Sequence, residues 1–266
     1  IKQIIENQTF DEERALYNIQ NTEVRNCTFA GPQDGESVLK ETRQVRVDHC
    51  TFSLRYPLWH VQGYELIHSS LDELTRAPIW YSHHGLIDSC DIQGIKILRE
   101  CSDTIVSNCQ IQSPEFGWFC QDISIKDSEI HSEYMLLHSQ HVKIDHLKFT
   151  GKYSFQYMHD LEITNSYLDT KDAFWHSSNV IVKDSVVKGE YLGWFSKNVT
   201  FINCQIIGTQ PLCYCENLKL IDCEMIDCDL AFEYSDVQAT IKGHIDSIKN
   251  VKSGTITVDS VGEIIN

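Results

Sequence analysis

Trp59, Trp80, Trp118, Trp175 and Trp194 are all the tryptophans of this 266-residue chain, and each stands ten residues before a small residue that recurs along the sequence. Arg99, Leu137, Gln156 and Cys213 fill the same column at other steps. The next column holds His60, Tyr81, Glu100, Phe119, His138, Tyr157, His176, Phe195 and Tyr214. Indoles, phenols and imidazoles at fixed intervals can stack on sugar rings or anchor a partner surface. Trp59, His60, Trp80, Tyr81, Trp118, Trp175, His176 and Trp194 are therefore the expected ligand-binding residues. Charged groups lie close by: Glu100 adjoins Arg99, and Glu115 and Asp172 each come thirteen residues before a small residue. Glu100, Glu115, Asp172 and Arg99 are the candidate catalytic residues. Glycoside hydrolysis needs two carboxylates about 5 to 9.5 Å apart, whereas Glu115 and Asp172 are three repeats apart, roughly 14 Å if each repeat is one stacked strand. Whether the chain is an enzyme stays open at this level.

The columns exist because the chain repeats. The template reads apolar, any, apolar, any, Asn/Asp/His/Ser, small, any, apolar, as in Val199 to Ile206. Its small residue is Cys27, Cys50, Ser69, Cys90, Cys109, Ser128, Leu147, Ser166, Ser185, Cys204 and Cys223, and the steps from Cys90 to Cys223 are all 19 residues. Short alternating segments rich in β-branched residues are strands, and a period of this length marks a solenoid. We therefore expect an all-β, right-handed parallel β-helix of about eleven coils in one domain, residues 21–237. Residues 1–20, with DEERALYNI, and 238–266, with TITVDSVGEII, break the template and are expected to cap the two ends. The polar residue before each small one, such as Asn26, Asn108 or Asn203, is expected at a left-handed corner. Leu58, Ile79 and Leu98, one residue before the tryptophan column, and Val61, Ser82 and Cys101, two residues after it, should point inward. That leaves the aromatic columns outward, and Arg99 and Gln156 in the tryptophan column favour this because both are costly to bury unpaired. The competing arrangement turns the indoles inward as a core stack.

Composition narrows the partners. Net charge is -16, which opposes binding to nucleic acid or anionic membranes and favours a neutral or cationic partner. No run of 18 apolar residues could span a bilayer, and the start IKQIIENQTF is not a secretory leader, so a cytoplasmic location is expected. Eleven cysteines is an odd number. Six lie in the small column and three (Cys101, Cys120, Cys215) eight residues before it, so free, buried thiols are expected rather than disulfides. Cys213, Cys215, Cys223 and Cys228 lack the paired CxxC of a zinc site, and no HxH or HxxxH pair sits on one strand. We expect no metal and no cofactor. No phosphate loop, dinucleotide fingerprint or nucleophile elbow occurs.

The strings ENQTFDEERALY, DGESVLKE, LRYPLWH, GIKILRE, SPEFGWFC, KDAFWH and GTQPLCYC resemble an uncharacterised bacterial family of about this length, a domain of unknown function. The coil pattern is similar to the pectate lyase-like superfamily, whose resemblance implies a polysaccharide groove along one face. The clustered aspartates of pectate lyases and the Asn-Thr-Asp and Asp-Asp strings of polygalacturonases are missing. Two functions follow as expectations: binding or cleaving a neutral glycan on the aromatic face, or a non-catalytic scaffold whose aromatic face joins two copies into a homodimer or holds a protein partner.

Overall fold

A computed structural model describes residues 2–266, and no helix occurs among them. The chain divides into two compact units, 1–132 and 133–266. Both are parallel β-solenoids. In unit 1 the rungs begin with strands Gln3–Glu6, Gln20–Arg25, Arg43–Asp48, Gln62–Ile67, His83–Asp88, Ser102–Ser107 and Gln121–Glu133. In unit 2 they begin with Gln140–Lys152, His159–Thr164, Ser178–Lys183, Lys197–Ile202, Glu216–Ile226, Asp236–Lys249 and Ser253–Ile265. Successive rungs pair in parallel with the repeat register, Val106 with Ile87 and Ile111 with Ile92 in unit 1, Val182 with Ile163 and Val187 with Leu168 in unit 2.

Seven rungs in each unit exceed the eleven that the template marks, because both expected caps are themselves rungs. Residues 3–6 pair with Thr22–Arg25 and residues 9–10 with Thr28–Phe29. The DEERALYNI stretch carries positive φ at Arg14, Leu16 and Asn18, as the next coil does at Ser37, Leu39 and Glu41. It is thus the curved side of a first coil whose side chains depart from the pattern. Asp236–Lys249 and Ser253–Ile265 likewise continue the parallel pairing.

The two apolar columns of the template form the core. In unit 1, Val47, Leu66, Ile87, Val106 and Ile125 face Phe52, Leu71, Ile92, Ile111 and Ile130, and none is more than 4% exposed. Ile163, Val182 and Phe201 with Leu168, Val187 and Ile206 do the same in unit 2. The parity slip between the columns is a left-handed corner. Asn108, with φ 52°, stands between Ser107 and Cys109, which are both buried. Its amide donates forward to Lys126 O at 3.3 Å, while Gln110 N–H donates back to Cys90 O at 3.0 Å, so each coil is tied to both neighbours.

The small column does more than avoid a clash. Ser128 Oγ donates to the Lys126 carbonyl at 2.9 Å and accepts the Cys109 amide at 3.1 Å. Cys109 Sγ lies 3.1 Å from Ser107 O, and in unit 2 Cys204 Sγ lies 3.3 Å from Ile202 O. Those carbonyls already accept the corner amide of the preceding coil, Lys126 O from Asn108 and Ile202 O from Asp184, so the thiol or hydroxyl hydrogen supplies a second bond to an acceptor that has two lone pairs. All eleven cysteines are free and buried. Burial pushes the Cys50, Cys213 and Cys228 thiols up to about 12 and Cys215 to about 11, which keeps them protonated and unreactive.

Val182→Asp or Ile125→Asp would bury an unpaired carboxylate in a column of zero exposure. Each should cost about 4 kcal/mol or more of unfolding free energy, measured by denaturant titration; a cost below about 1 kcal/mol would contradict the inward assignment. A thiol reagent should find none of the cysteines rapidly reactive in the native protein and all eleven after denaturation without reductant.

Candidate functional site

The aromatic columns sit on the tightly curved side of each coil, where left-handed residues alternate with ordinary ones. In one coil of unit 1 these are Lys96, Leu98 and Glu100, with φ of 61°, 59° and 49°. A bulky residue in this conformation costs roughly 1–2 kcal/mol. Leu98 offsets the strain by burying its side chain and donating its amide to Pro78 O at 3.1 Å, while Glu100 donates forward to Trp118 O at 2.9 Å. The zigzag turns Leu58, Ile79 and Leu98 inward in unit 1, and Leu136, Phe155 and Phe174 in unit 2, together with the Val61, Ser82, Cys101 and Met158, Ser177, Ser196 positions. The two intervening columns are left outside the core.

The tryptophans are neither buried in the core nor fully exposed. All are half-buried. In unit 1 Trp59 and Trp80 stack at 4.9 Å and 8°, and their Nε1–H groups donate to Ala77 O at 2.7 Å and Lys96 O at 2.6 Å. In unit 2 Trp175 and Trp194 stack at 5.1 Å and 3° and donate to Tyr191 O at 2.6 Å and Gln210 O at 2.8 Å. Each indole thereby bridges its own coil to a carbonyl of the following one. Gln156 shares the column because its Nε2 makes the same bond, to Asp172 O at 2.8 Å.

Arg99 keeps its place in the column by a different contact. Its guanidinium lies 5.3 Å from the Trp80 ring and 5.2 Å from the Phe119 ring, the geometry of a cation–π sandwich. Trp80, Lys96, Leu98, Arg99, Glu115 and Trp118 surround a gap of only ≈ 10 Å³, about enough for one water and far too small for a sugar. Glu100 is 3.9 Å from Arg99 Nε, and Glu115 is 3.8 Å from Lys96 Nζ. The structure thus brings Trp80, Trp118, Arg99 and Glu115 together as a paired cluster with no open reaction space between them.

The column beside the tryptophans is the more exposed one, with Tyr81 and Tyr214 half-buried in it. His60 and Tyr81 stack at 4.9 Å and 14° in unit 1. In unit 2 six rings stack in sequence, His138, Tyr157, His176, Phe195, Tyr214 and Tyr234, with centroids 4.8 to 6.0 Å apart and planes within 27°. Ring faces are used up by neighbours, so edges, phenol hydroxyls and imidazole nitrogens meet solvent. Tyr157 is 46% exposed, Phe195 45% and Tyr234 55%.

Asp172, in the coil that carries Trp175 and His176, is electrostatically unusual. Its Oδ1 is shielded with no hydrogen-bond partner. Burial lifts its carboxyl above the ordinary range, with Glu190 adding to the effect and Lys171 opposing it. Desolvation of this kind disfavours the ionised form of a carboxyl. Glu190 stands fourteen residues before Cys204, among the charged groups beside the aromatic columns. Sequence reasoning missed an open groove of ≈ 530 Å³ in unit 1, lined by Arg46, Gly63, Glu65, His84, Gly85 and Asp103 among others. The signal was available as two glycines in strand positions. A Cβ on Gly85 would fall 2.1 Å from the buried Tyr64 ring.

Residues 3–266 match the model of the family described as "Protein of unknown function (DUF3737)", and the chain belongs to that family. No curated protein matches it. Among solved structures it is similar to PfbA, a surface adhesin of Streptococcus pneumoniae, at 9% identity over 95% of this chain and 83% of that one, with a TM-score of 0.56. It is also similar to the tailspike protein of E. coli bacteriophage HK620, at 7% identity over 98% and 71% of the two chains, with a TM-score of 0.45. At these identities the likeness is one of fold.

A raised carboxyl pKa means that the folded state holds the proton more tightly than the unfolded chain. The contribution of Asp172 to stability is therefore complete below the ordinary value of 3.8 and is lost as pH rises through the folded value. Asp172→Asn should raise the melting temperature relative to the parent protein at about pH 7 and lose that advantage at about pH 3. A difference independent of pH would contradict the assignment.

Proposed function

We propose that this member of the DUF3737 family is a glycan-binding β-solenoid that holds an extended neutral polysaccharide along the exposed ladder of unit 2. The observation that supports this reading is the repeat itself. Six stacked rings recur every 4.8 to 6.0 Å, close to the length of one pyranose unit in an extended chain, so a glycan lying along the stack would meet an equivalent edge at each sugar. Tyr157, Tyr214 and Tyr234 offer hydroxyls and His138 and His176 offer ring nitrogens, with the apolar Phe195 between them. Sugar hydroxyls are recognised by such edges through hydrogen bonds, and the C–H faces rest on apolar rims.

His176 keeps the binding role expected of it, and Trp175 and Trp194 support the ladder as braces. Trp59, His60, Trp80, Tyr81 and Trp118 form the corresponding, shorter patch of unit 1. The net charge of -16 favours a neutral ligand over a uronate polymer. Eleven free thiols fit a reducing compartment, and we propose a cytoplasmic setting on that ground. The shared architecture with an adhesin contributes the fold alone.

The second reading, a scaffold that pairs two copies through this face, is favoured by the exposure of Tyr157, Phe195 and Tyr234 along one ladder. Titration calorimetry with a panel of neutral oligosaccharides separates the two. On the first reading an oligosaccharide binds, and Tyr157→Ala or His176→Ala weakens it about tenfold or more, or 1.4 kcal/mol, with an unchanged circular dichroism spectrum. No binding by any oligosaccharide, together with a dimer in sedimentation that Tyr157→Ala dissociates, would overturn it for the scaffold.

A further inference from the structure

The left-handed corner beside the small column carries a side-chain ladder of its own. Asn108 Nδ2 donates to Asp88 Oδ1 at 2.9 Å in unit 1, and Asn165 Nδ2 donates to Asp145 Oδ1 at 2.9 Å in unit 2. Each of these aspartates takes a second bond at 2.6 Å from a hydroxyl of the following coil, Ser107 for Asp88 and Thr164 for Asp145. Asp48 occupies the same position in its coil, and its partners differ. Ile67 stands where the hydroxyl would be. The corner residues of its own coil and the next are His49 and His68, held at φ of 54° and 46°, where the column elsewhere uses Asn26 and Asn108.

Both imidazoles turn the same atom onto the carboxylate. His49 Nδ1 lies 2.6 Å and His68 Nδ1 3.1 Å from Asp48 Oδ1, with the rings 4.9 Å apart and tilted by 37°. The three donor atoms are within 4.8 Å of one another. An amide and a hydroxyl at a corner are poor metal ligands. Two neutral imidazole nitrogens and a carboxylate are a strong set for a borderline divalent ion and leave positions open for water. The side chains of His49 and His68 are 67% and 50% exposed, so an ion can reach them without any rearrangement of the fold, and Asp48 is the more sheltered at 19%. Arg46 Nη2 is 3.9 Å from the other Asp48 oxygen, Oδ2, leaving Oδ1 as the ligand atom. The spacing of 19 residues hides this set from any search for histidine pairs on one strand; only stacking of coils makes the pair.

We propose that Asp48, His49 and His68 form a binding site for a divalent transition-metal ion of the zinc class on the corner of unit 1, with three protein ligands and water completing the shell. Unit 2 supplies an internal control. His141 and His159 also approach one carboxylate, Asp160, but at 3.0 and 3.5 Å through different ring nitrogens and with rings 6.4 Å apart.

The test is calorimetric titration of the folded 266-residue chain with zinc chloride, with cobalt(II) absorbance as a second readout. One ion should bind, and cobalt should give a d–d spectrum without the thiolate charge-transfer band that buried cysteines would produce. His49→Asn and His68→Asn restore the residue that the same column uses at other coils, so the corner should remain folded by circular dichroism. Each should weaken zinc binding about tenfold or more, since loss of a ligand costs at least what loss of an outer-shell partner does. Asp160→Asn should leave affinity unchanged. Absence of zinc binding by the parent protein, undiminished binding by the folded His49→Asn/His68→Asn double variant, or loss of binding in Asp160→Asn alone would each overturn the proposal.

Discussion

The backbone hydrogen bonds that pass from coil to coil are the constraint on which the rest of each unit depends. A parallel strand sends its amides and carbonyls to both neighbours, but a corner breaks that alternation and leaves groups to satisfy. This chain meets the problem with left-handed residues at fixed positions. Asn108, Lys96 and Glu100 direct their amides to the following coil, and Leu98 directs its amide to the preceding one. Each such residue costs backbone strain, yet each gives its amide a partner in a neighbouring coil; a buried amide left without one, as at Leu98, would cost about 1–3 kcal/mol. The side chains then follow from the backbone. Serine and cysteine add a second bond to the carbonyls beside the small column, and the indoles of Trp59, Trp80, Trp175 and Trp194 close those beside the curved side.

The same rule accounts for what could and could not be seen in the residues alone. The two apolar columns, the polar corner and the inward positions flanking the aromatic columns were legible, because side-chain polarity reports which way a strand residue points. The small column was legible by size only. That a thiol or hydroxyl there donates to the carbonyl two residues back is invisible without the corner geometry. The first coil was illegible because DEERALYNI folds like its neighbours through φ angles at Arg14, Leu16 and Asn18, with side chains that carry no matching pattern.

The aromatic side shows the limit most clearly. Arg99 and Gln156 correctly argue against a fully buried tryptophan column, but they do not argue for free indole faces. Trp175 finds a carbonyl 16 residues ahead, and Gln156 finds the equivalent one. Such a bond depends on the reach of one coil to the next, which composition does not encode. The histidine and tyrosine column is the accessible surface instead, and its edge-on presentation follows from register: rings one coil apart must stack. Asp172 stands out for the opposite reason, since its shielded oxygen and neighbouring Glu190 arise from packing around it. His49 and His68 belong to the same class of feature, separated in sequence and joined by stacking.

The central claim is that the tryptophans are braces and the neighbouring ring edges are the recognition surface of unit 2. Nuclear magnetic resonance of the indole N–H and imidazole C–H groups during titration with a neutral oligosaccharide tests it most directly. The account predicts slowly exchanging indole N–H signals for Trp175 and Trp194 that stay in place, with shifts confined to His138, His176 and the tyrosine rings. Rapid indole exchange, or oligosaccharide-dependent shifts at Trp175 and Trp194 with the imidazoles unmoved, would contradict it.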